Sequence, residues 1–162
     1  MAQVIGAVMD NGFAGSYSRQ PDQIIDTRFA GGDVPFGYAV KYSSGKVVIF
    51  GSGDAATAFV GVAVREVKSA LVYNSNTVKY AENEAVPVMK RGRVNVKCNV
   101  GTPALNGDVY IRIAANGANT IVGGFEATAD STYTVKLTNA KWAGAADSNG
   151  IAELEILEPI NA

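Results

Sequence analysis

Histidine is absent from this sequence, and cysteine occurs once, at Cys98. Without an imidazole, Ser-His-Asp and Cys-His nucleophilic catalysis are closed, and so are the His-containing zinc sites. A single thiol can neither close an internal disulfide nor supply a Cys-rich zinc or iron–sulfur centre. A metal enzyme on a small β-barrel, which normally draws on several histidines, falls with them. No catalytic residue, metal ligand or cofactor is therefore expected. Charge is scarce too. Charged residues make up 18% of the chain, against roughly 25% in soluble domains, which suits a surface pressed against other protein. Lysine and arginine number 14 against 15 acidic residues, and the longest basic cluster is Lys90-Arg91-Gly92-Arg93. That balance builds no positive field of the kind phosphate backbones attract, so nucleic acid is not an expected partner. No stretch reaches the roughly 18 consecutive apolar residues of a membrane-spanning helix. The start, Met1-Ala2-Gln3-Val4-Ile5-Gly6, lacks the basic region of a secretory signal, and synthesis in the cytoplasm is the expectation.

What is present is period-two alternation. In Val94-Asn95-Val96-Lys97-Cys98-Asn99-Val100 every second residue is apolar, which gives a strand one dry face and one wet face. Cys98 falls on the dry face, where free cysteine behaves as a small hydrophobe. Tyr133–Leu137 and Ala152–Ile156 repeat the pattern, and further β-rich runs are Lys46–Phe50, Phe59–Glu66, Thr77–Tyr80, Ala85–Lys90 and Val109–Ile113. Asn-Gly occurs at 11–12, 106–107, 116–117 and 149–150. Both residues tolerate positive φ, so each pair reads as a hairpin reversal. Together these predict an all-β chain of many short strands. Two stretches compete for helix. Gln20–Arg28 has Ile24, Ile25 and Arg28 at helical spacing, but Pro21 and its length limit it to a turn or short 3-10 piece. Asp54–Ala58 can form one turn, with Asp54 as N-cap.

Residues 1–30 carry Gly6, Gly12, Gly15, Ser16, Ser18 and Pro21 with little alternation, yet also Phe13, Tyr17, Ile24, Ile25 and Phe29. Two readings fit: an arm that orders on a partner, or a segment wrapped on its own domain. The expected division is an N-terminal arm over 1–30 and a β domain over 31–162. Two carboxylate pairs remain as chemistry-bearing candidates: Glu153 with Glu155 on one strand face, and Asp22 with Asp26. No aromatic sugar platform accompanies the first pair, so a solvated strand face is the expectation. Gly51-Ser52-Gly53-Asp54 lacks the Gly-Lys-Ser/Thr ending of a phosphate loop. Asp147-Ser148-Asn149-Gly150 lacks the ligand register of a calcium loop and reads as a turn. Trp142, the lone tryptophan, fits a core or an interface equally.

Several segments in order carry a resemblance. Gly12-Phe13-Ala14-Gly15 leads to Val34-Pro35-Phe36-Gly37-Tyr38-Ala39-Val40, then Phe59–Arg65, Ala85–Met89, Gly92–Val96, Gly107–Arg112, Lys141-Trp142 and Gly150–Leu154. The set resembles the structural cement protein family of tailed phages, which decorates shells of the HK97-type major capsid protein. The resemblance spans about Gly6 to Leu157. It implies a small antiparallel β-barrel, tulip-like or sandwich domain with extended terminal arms, often a homotrimer, sealing capsomer junctions on the outer surface of the virion. It implies no catalytic residues. On this reading the expected capsid contacts are Phe13, Tyr17, Arg19, Ile24, Ile25 and Phe29. A carbohydrate- or receptor-binding β module of a phage tail is the alternative, and an enzyme built on Glu153 and Glu155 is the third.

Overall fold

The structure is a computed structural model that describes residues 10–66 and 79–157. Among these, eleven strands form in chain order: β1 (Tyr17–Phe29), β2 (Val34–Pro35), β3 (Ala39–Ser43), β4 (Lys46–Ile49), β5 (Gly61–Ala63), β6 (Lys79–Tyr80), β7 (Ala85–Lys97), β8 (Asp108–Arg112), β9 (Phe125–Glu126), β10 (Thr134–Trp142) and β11 (Ile151–Ile156). Helix is confined, among the described residues, to two 3-10 turns at Ala56–Ala58 and Ser131–Tyr133. The main sheet is antiparallel, in the order β4-β3-β5-β7-β11-β10-β8-β9. Strand β7 is its spine. One of its edges pairs with β1 along its length, and the other pairs first with β5 and then with β11. The sheet curls, and isolated bridges Ala30↔Val47 and Cys98↔Phe125 bring chain leaving β1 and β7 against its two ends. The all-β expectation holds.

The curl encloses two hydrophobic clusters. The larger gathers Phe50, Phe59, Met89, Val94, Val96, Ile111, Phe125, Leu137, Trp142, Leu154 and Ile156 among others. The smaller holds Ala30, Val34, Phe36, Val40, Val47, Ala63, Tyr80, Val86 and Val88, and the two-stranded β2–β6 sheet contributes Val34 and Tyr80 to it. Strand β7 serves both, and its face assignments reverse along the way. Val86 and Val88 face the smaller cluster, while Met89, Val94 and Val96 face the larger. An even-numbered set on one face becomes an even-numbered set on the other only where an irregularity shifts the parity. Gly92 supplies it, at φ +119°, a region that side chains rarely enter. A Cβ there would also lie 2.7 Å from the Asp22 carbonyl oxygen.

Strand β1 makes the matching excursion. Arg19 pairs with Arg93 and Ile24 with Arg91, so β1 takes five steps while β7 takes two, and residues 20–23 bow outward over Gly92. Gln20–Arg28 is therefore strand, not the turn or 3-10 piece that its Ile24/Ile25 spacing suggested. Pairing across the sheet overrides that weak helical spacing.

The described part of the expected 1–30 arm is fastened to the domain. Tyr17–Phe29 lies in the sheet, and Gly15 N–H donates to the Asn95 carbonyl at 2.7 Å. Asn11 donates through its backbone to Asp147 Oδ2 at 2.8 Å and through its side chain to the Ile151 carbonyl at 2.7 Å. Asn11-Gly12 is thus part of a strap across the β10–β11 turn rather than a hairpin. Asn106, at φ +62°, and Gly117 and Gly150, at φ +57° and +77°, do sit in reversals. Asp54 does not cap the Ala56–Ala58 turn, whose N-cap is Ala55. Its carboxylate instead accepts from the Gly51 backbone at 2.8 Å and pairs with Lys41 at 2.6 Å.

Candidate functional site

The six residues expected as contacts are strung along one edge of the fold and do not converge. Phe13 is 66% exposed in a turn, with the Arg65 guanidinium 4.8 Å from its ring centroid. Tyr17 opens β1, packs on the larger cluster and donates its hydroxyl to Glu66 at 2.7 Å. Partial burial and that carboxylate push its ionisation well above the ordinary tyrosine range. Arg19 projects outward and pairs with Glu153 at 2.9 Å. Ile24 is exposed while its neighbour Ile25 packs on the core, as alternate faces of a strand require. Phe29 is exposed at the end of β1, beside Gly45 and Ala85.

The acidic pairs are occupied by cations. Glu153, only 7% exposed, is held by Arg19, by the Ser18 hydroxyl at 2.7 Å and more distantly by Arg93 at 3.8 Å. Glu155 pairs with Arg93 at 3.0 Å. Asp22 pairs with Arg91, whereas Asp26 meets Lys90 at 3.2 Å, Arg28 at 3.3 Å and the Tyr42 hydroxyl at 3.0 Å. Lys90, together with Tyr42, holds the Asp26 carboxyl below the usual carboxylate range. These carboxylates are thus taken up in ion pairs with neighbouring arginines and lysine. Among the described residues, no group of three or more acidic or thiol side chains is placed to hold a metal ion.

Ion pairs continue across the outer face. Asp108 on β8 takes Lys136 at 2.5 Å and Lys141 at 2.7 Å, which hold its carboxyl down at about 2. A depressed carboxyl contributes stability above its unfolded value of 3.8 and loses it as pH falls toward 2. Asp108→Asn is therefore expected to flatten the acid limb of stability between about pH 4 and about pH 2, read by thermal melts across that window. An unchanged acid limb would show that these lysines do not act on it.

Inside, Arg112 and Glu126 are both buried, at 0% and 1% exposure, and form a two-pronged ion pair that also recruits Asp130 and Asn116. No local sequence signal marks this pair, since its members stand fourteen positions apart. Trp142 resolves to the core, 1% exposed, with its Nε1 buried and unpartnered. Cys98 packs half-buried on the larger cluster.

Three depressions among the described residues hold about 190 to 220 Å³ each, below the roughly 300–1,000 Å³ of small-molecule sites. One of about 220 Å³ lies at the Gly92 bulge, lined by Arg19, Asp22, Arg91, Arg93, Glu155 and Leu157. Sequence reading marked its Lys90–Arg93 run only as a basic cluster and could not see Arg19 brought beside it.

Among the described residues the protein is a curled all-β scaffold with an ion-paired outer face, the architecture of a β structural protein. The chain belongs to the structural cement protein family of phages (E217 gp24/Pam3 gp6), whose model matches residues 1–157. Among solved structures it is similar to a chain described as the capsid of Myoviridae Phage XM1, with a TM-score of 0.70 and 15% identity over 96% of both chains. At that identity the likeness shows the fold. No curated protein matches.

Proposed function

We propose that this chain is a capsid cement protein that binds the outer surface of a shell of HK97-type major capsid protein and stabilises capsomer junctions. The family match across residues 1–157 carries this reading. Physical chemistry supports it: the acidic pairs are spent on ion pairs, the three depressions described above are small, and large apolar side chains stand exposed at Phe13, Ile24, Phe29 and Leu105. Weak contacts of this kind gain strength when a lattice repeats them, so avidity takes the place of a deep pocket. A homotrimer would multiply them further. Of the six proposed contacts, Phe13, Arg19, Ile24 and Phe29 reach the partner, while Tyr17 and Ile25 anchor the strand that presents them. The expected arm over residues 1–30 stays part of this proposal, and its residues 1–9 lie outside the described residues.

Co-sedimentation with expanded empty shells tests the reading. The protein is expected to pellet with shells at a fixed ratio to capsid protein. A protein that stays in the supernatant at every shell concentration contradicts it. A Phe13→Ser/Phe29→Ser double variant is expected to bind shells about tenfold more weakly or worse, with a melting temperature close to the parent. Shell binding equal to the parent would remove these two residues from the contact surface.

A further inference from the structure

The depression at the Gly92 bulge is rich in arginine. Arg19, Arg91 and Arg93, three of the chain's six arginines, line it together. The backbone builds this grouping. Gly92 has no side chain, so β1 can bow across β7 here, and Arg91 and Arg93 flank the crossing while Arg19 enters from the facing strand. Each arginine faces a carboxylate: Arg19 holds the nearly buried Glu153 at 2.9 Å and Arg93 holds Glu155 at 3.0 Å, while the Arg91 pair is looser. Arg91 gives both Nε, at 3.3 Å, and Nη2, at 3.1 Å, to a single oxygen of Asp22, not to the two oxygens of a fork. That pair is open to water, with side chains 42% and 74% exposed. Arg19 is 67% exposed. The exposed Arg91–Asp22 pair contributes little to stability, so an incoming carboxylate displaces it at small cost and can take the two-pronged geometry that Asp22 does not, while Arg19 keeps its bond to the nearly buried Glu153. Apolar surface adjoins them: Leu157 in the lining is 46% exposed, and nearby Ile24 on β1 is 49% exposed.

We propose that this depression is the docking point for an acidic segment of the capsid protein, one that places carboxylates against Arg19 and Arg91 and an apolar side chain against Leu157. The inference rests on the cement reading and names the chemistry of its partner. Asp22 and Glu155 in the lining, with Glu153 beside them, interrupt the positive charge and repel a continuous phosphate chain. They leave room for separated carboxylates on a polypeptide. Charge complementarity at this spot also gives the contact a dependence on salt, since exposed charges are screened over roughly 10 Å at about 0.1 M.

The test uses the full-length protein and a short labelled glutamate–leucine peptide, with its glutamine–leucine counterpart and a short DNA oligonucleotide as comparisons. Fluorescence anisotropy is expected to show binding of the glutamate peptide that weakens with salt. Binding should fall about tenfold or more in Arg19→Gln/Arg91→Gln, and measurably in Arg91→Gln alone, whose partner Asp22 is exposed and leaves no buried charge behind. Equal binding of the two peptides, preferential binding of DNA, or unchanged affinity in both variants overturns the proposal. Shell pelleting separates this failure from failure of the cement reading. If the parent and Arg19→Gln/Arg91→Gln pellet equally well, the depression is not the docking point and the cement function stands. If the parent does not pellet, the cement reading falls, and this inference with it.

Discussion

Replacing Arg112 by methionine is expected to cost about 3–5 kcal/mol, because the change strands the Glu126 carboxylate in the interior without its partner. The geometry gives the reason. Arg112 Nε meets Glu126 Oε1 at 2.5 Å and Nη2 meets Oε2 at 2.9 Å, while Nη2 also reaches Asp130 Oδ2 at 2.9 Å. Asp130 in turn accepts from the Asn116 side chain at 3.1 Å, and its backbone N–H donates to the Thr134 hydroxyl at 2.8 Å. One guanidinium thus ties β8, β9, the 116–119 reversal and the entry to β10. For a chain of this size each kcal/mol moves the melting temperature by roughly 2–4 °C, so a fall of about 6–20 °C is expected by circular dichroism. Arg112→Met with Glu126→Leu removes both charges and is expected to recover much of the loss, because two apolar side chains can fill the space without an unpaired charge. A double-mutant cycle reads the coupling directly. If the single variant melts within a degree or two of the parent, the pair is not buried as described.

Gly61→Ala is expected to be as damaging for a different reason. A Cβ on Gly61 would lie 2.1 Å from the Met89 carbonyl oxygen, 2.8 Å from its carbonyl carbon and 2.9 Å from Val88 Cγ1. Two of these three atoms are backbone of the spine strand, so the methyl can be housed only by moving β5 off β7. Overpacking of this kind costs about 1–3 kcal/mol where side chains can yield, and more where they cannot. A loss of about 3 kcal/mol or more is therefore expected, read as a drop in melting temperature of roughly 6–12 °C. Gly32→Ala is the control, since a Cβ there meets nothing within 4 Å. It is expected to leave stability unchanged or to raise it by up to about 1 kcal/mol through the unfolded state. Equal effects at the two positions would contradict the close approach at Gly61.

These two sites also show where sequence reading stops. Val94–Val100 and Ala152–Ile156 are legible because each strand sends its apolar residues to one face and polar ones such as Asn95 and Glu153 to the other, so alternation survives in the residues. Val60–Val64 is apolar throughout because the middle of β5 is buried on both faces, with Val62 in one cluster and Ala63 in the other. Composition marks such a run as β-rich and says nothing of what it touches. Strand β1 was missed because the bow over Gly92 breaks its period. Ile24 and Ile25 stand side by side, one outward and one inward, and imitate helical spacing. The arginine-lined depression joins residues 19 and 91–93 through a pairing that no local pattern announces. Function was legible mostly by exclusion, from the missing histidines and the lone cysteine, and then through the ordered Gly/Val segments that carry the family resemblance.

The central proposal is mechanical: that this protein of the structural cement family holds a phage shell together from outside. Scanning calorimetry of expanded empty shells, with and without added protein, measures that directly. The account predicts that the shell transition moves to higher temperature as protein is added, and that the rise stops once a fixed ratio to capsid protein is reached. A transition that stays in place under saturating protein would contradict it.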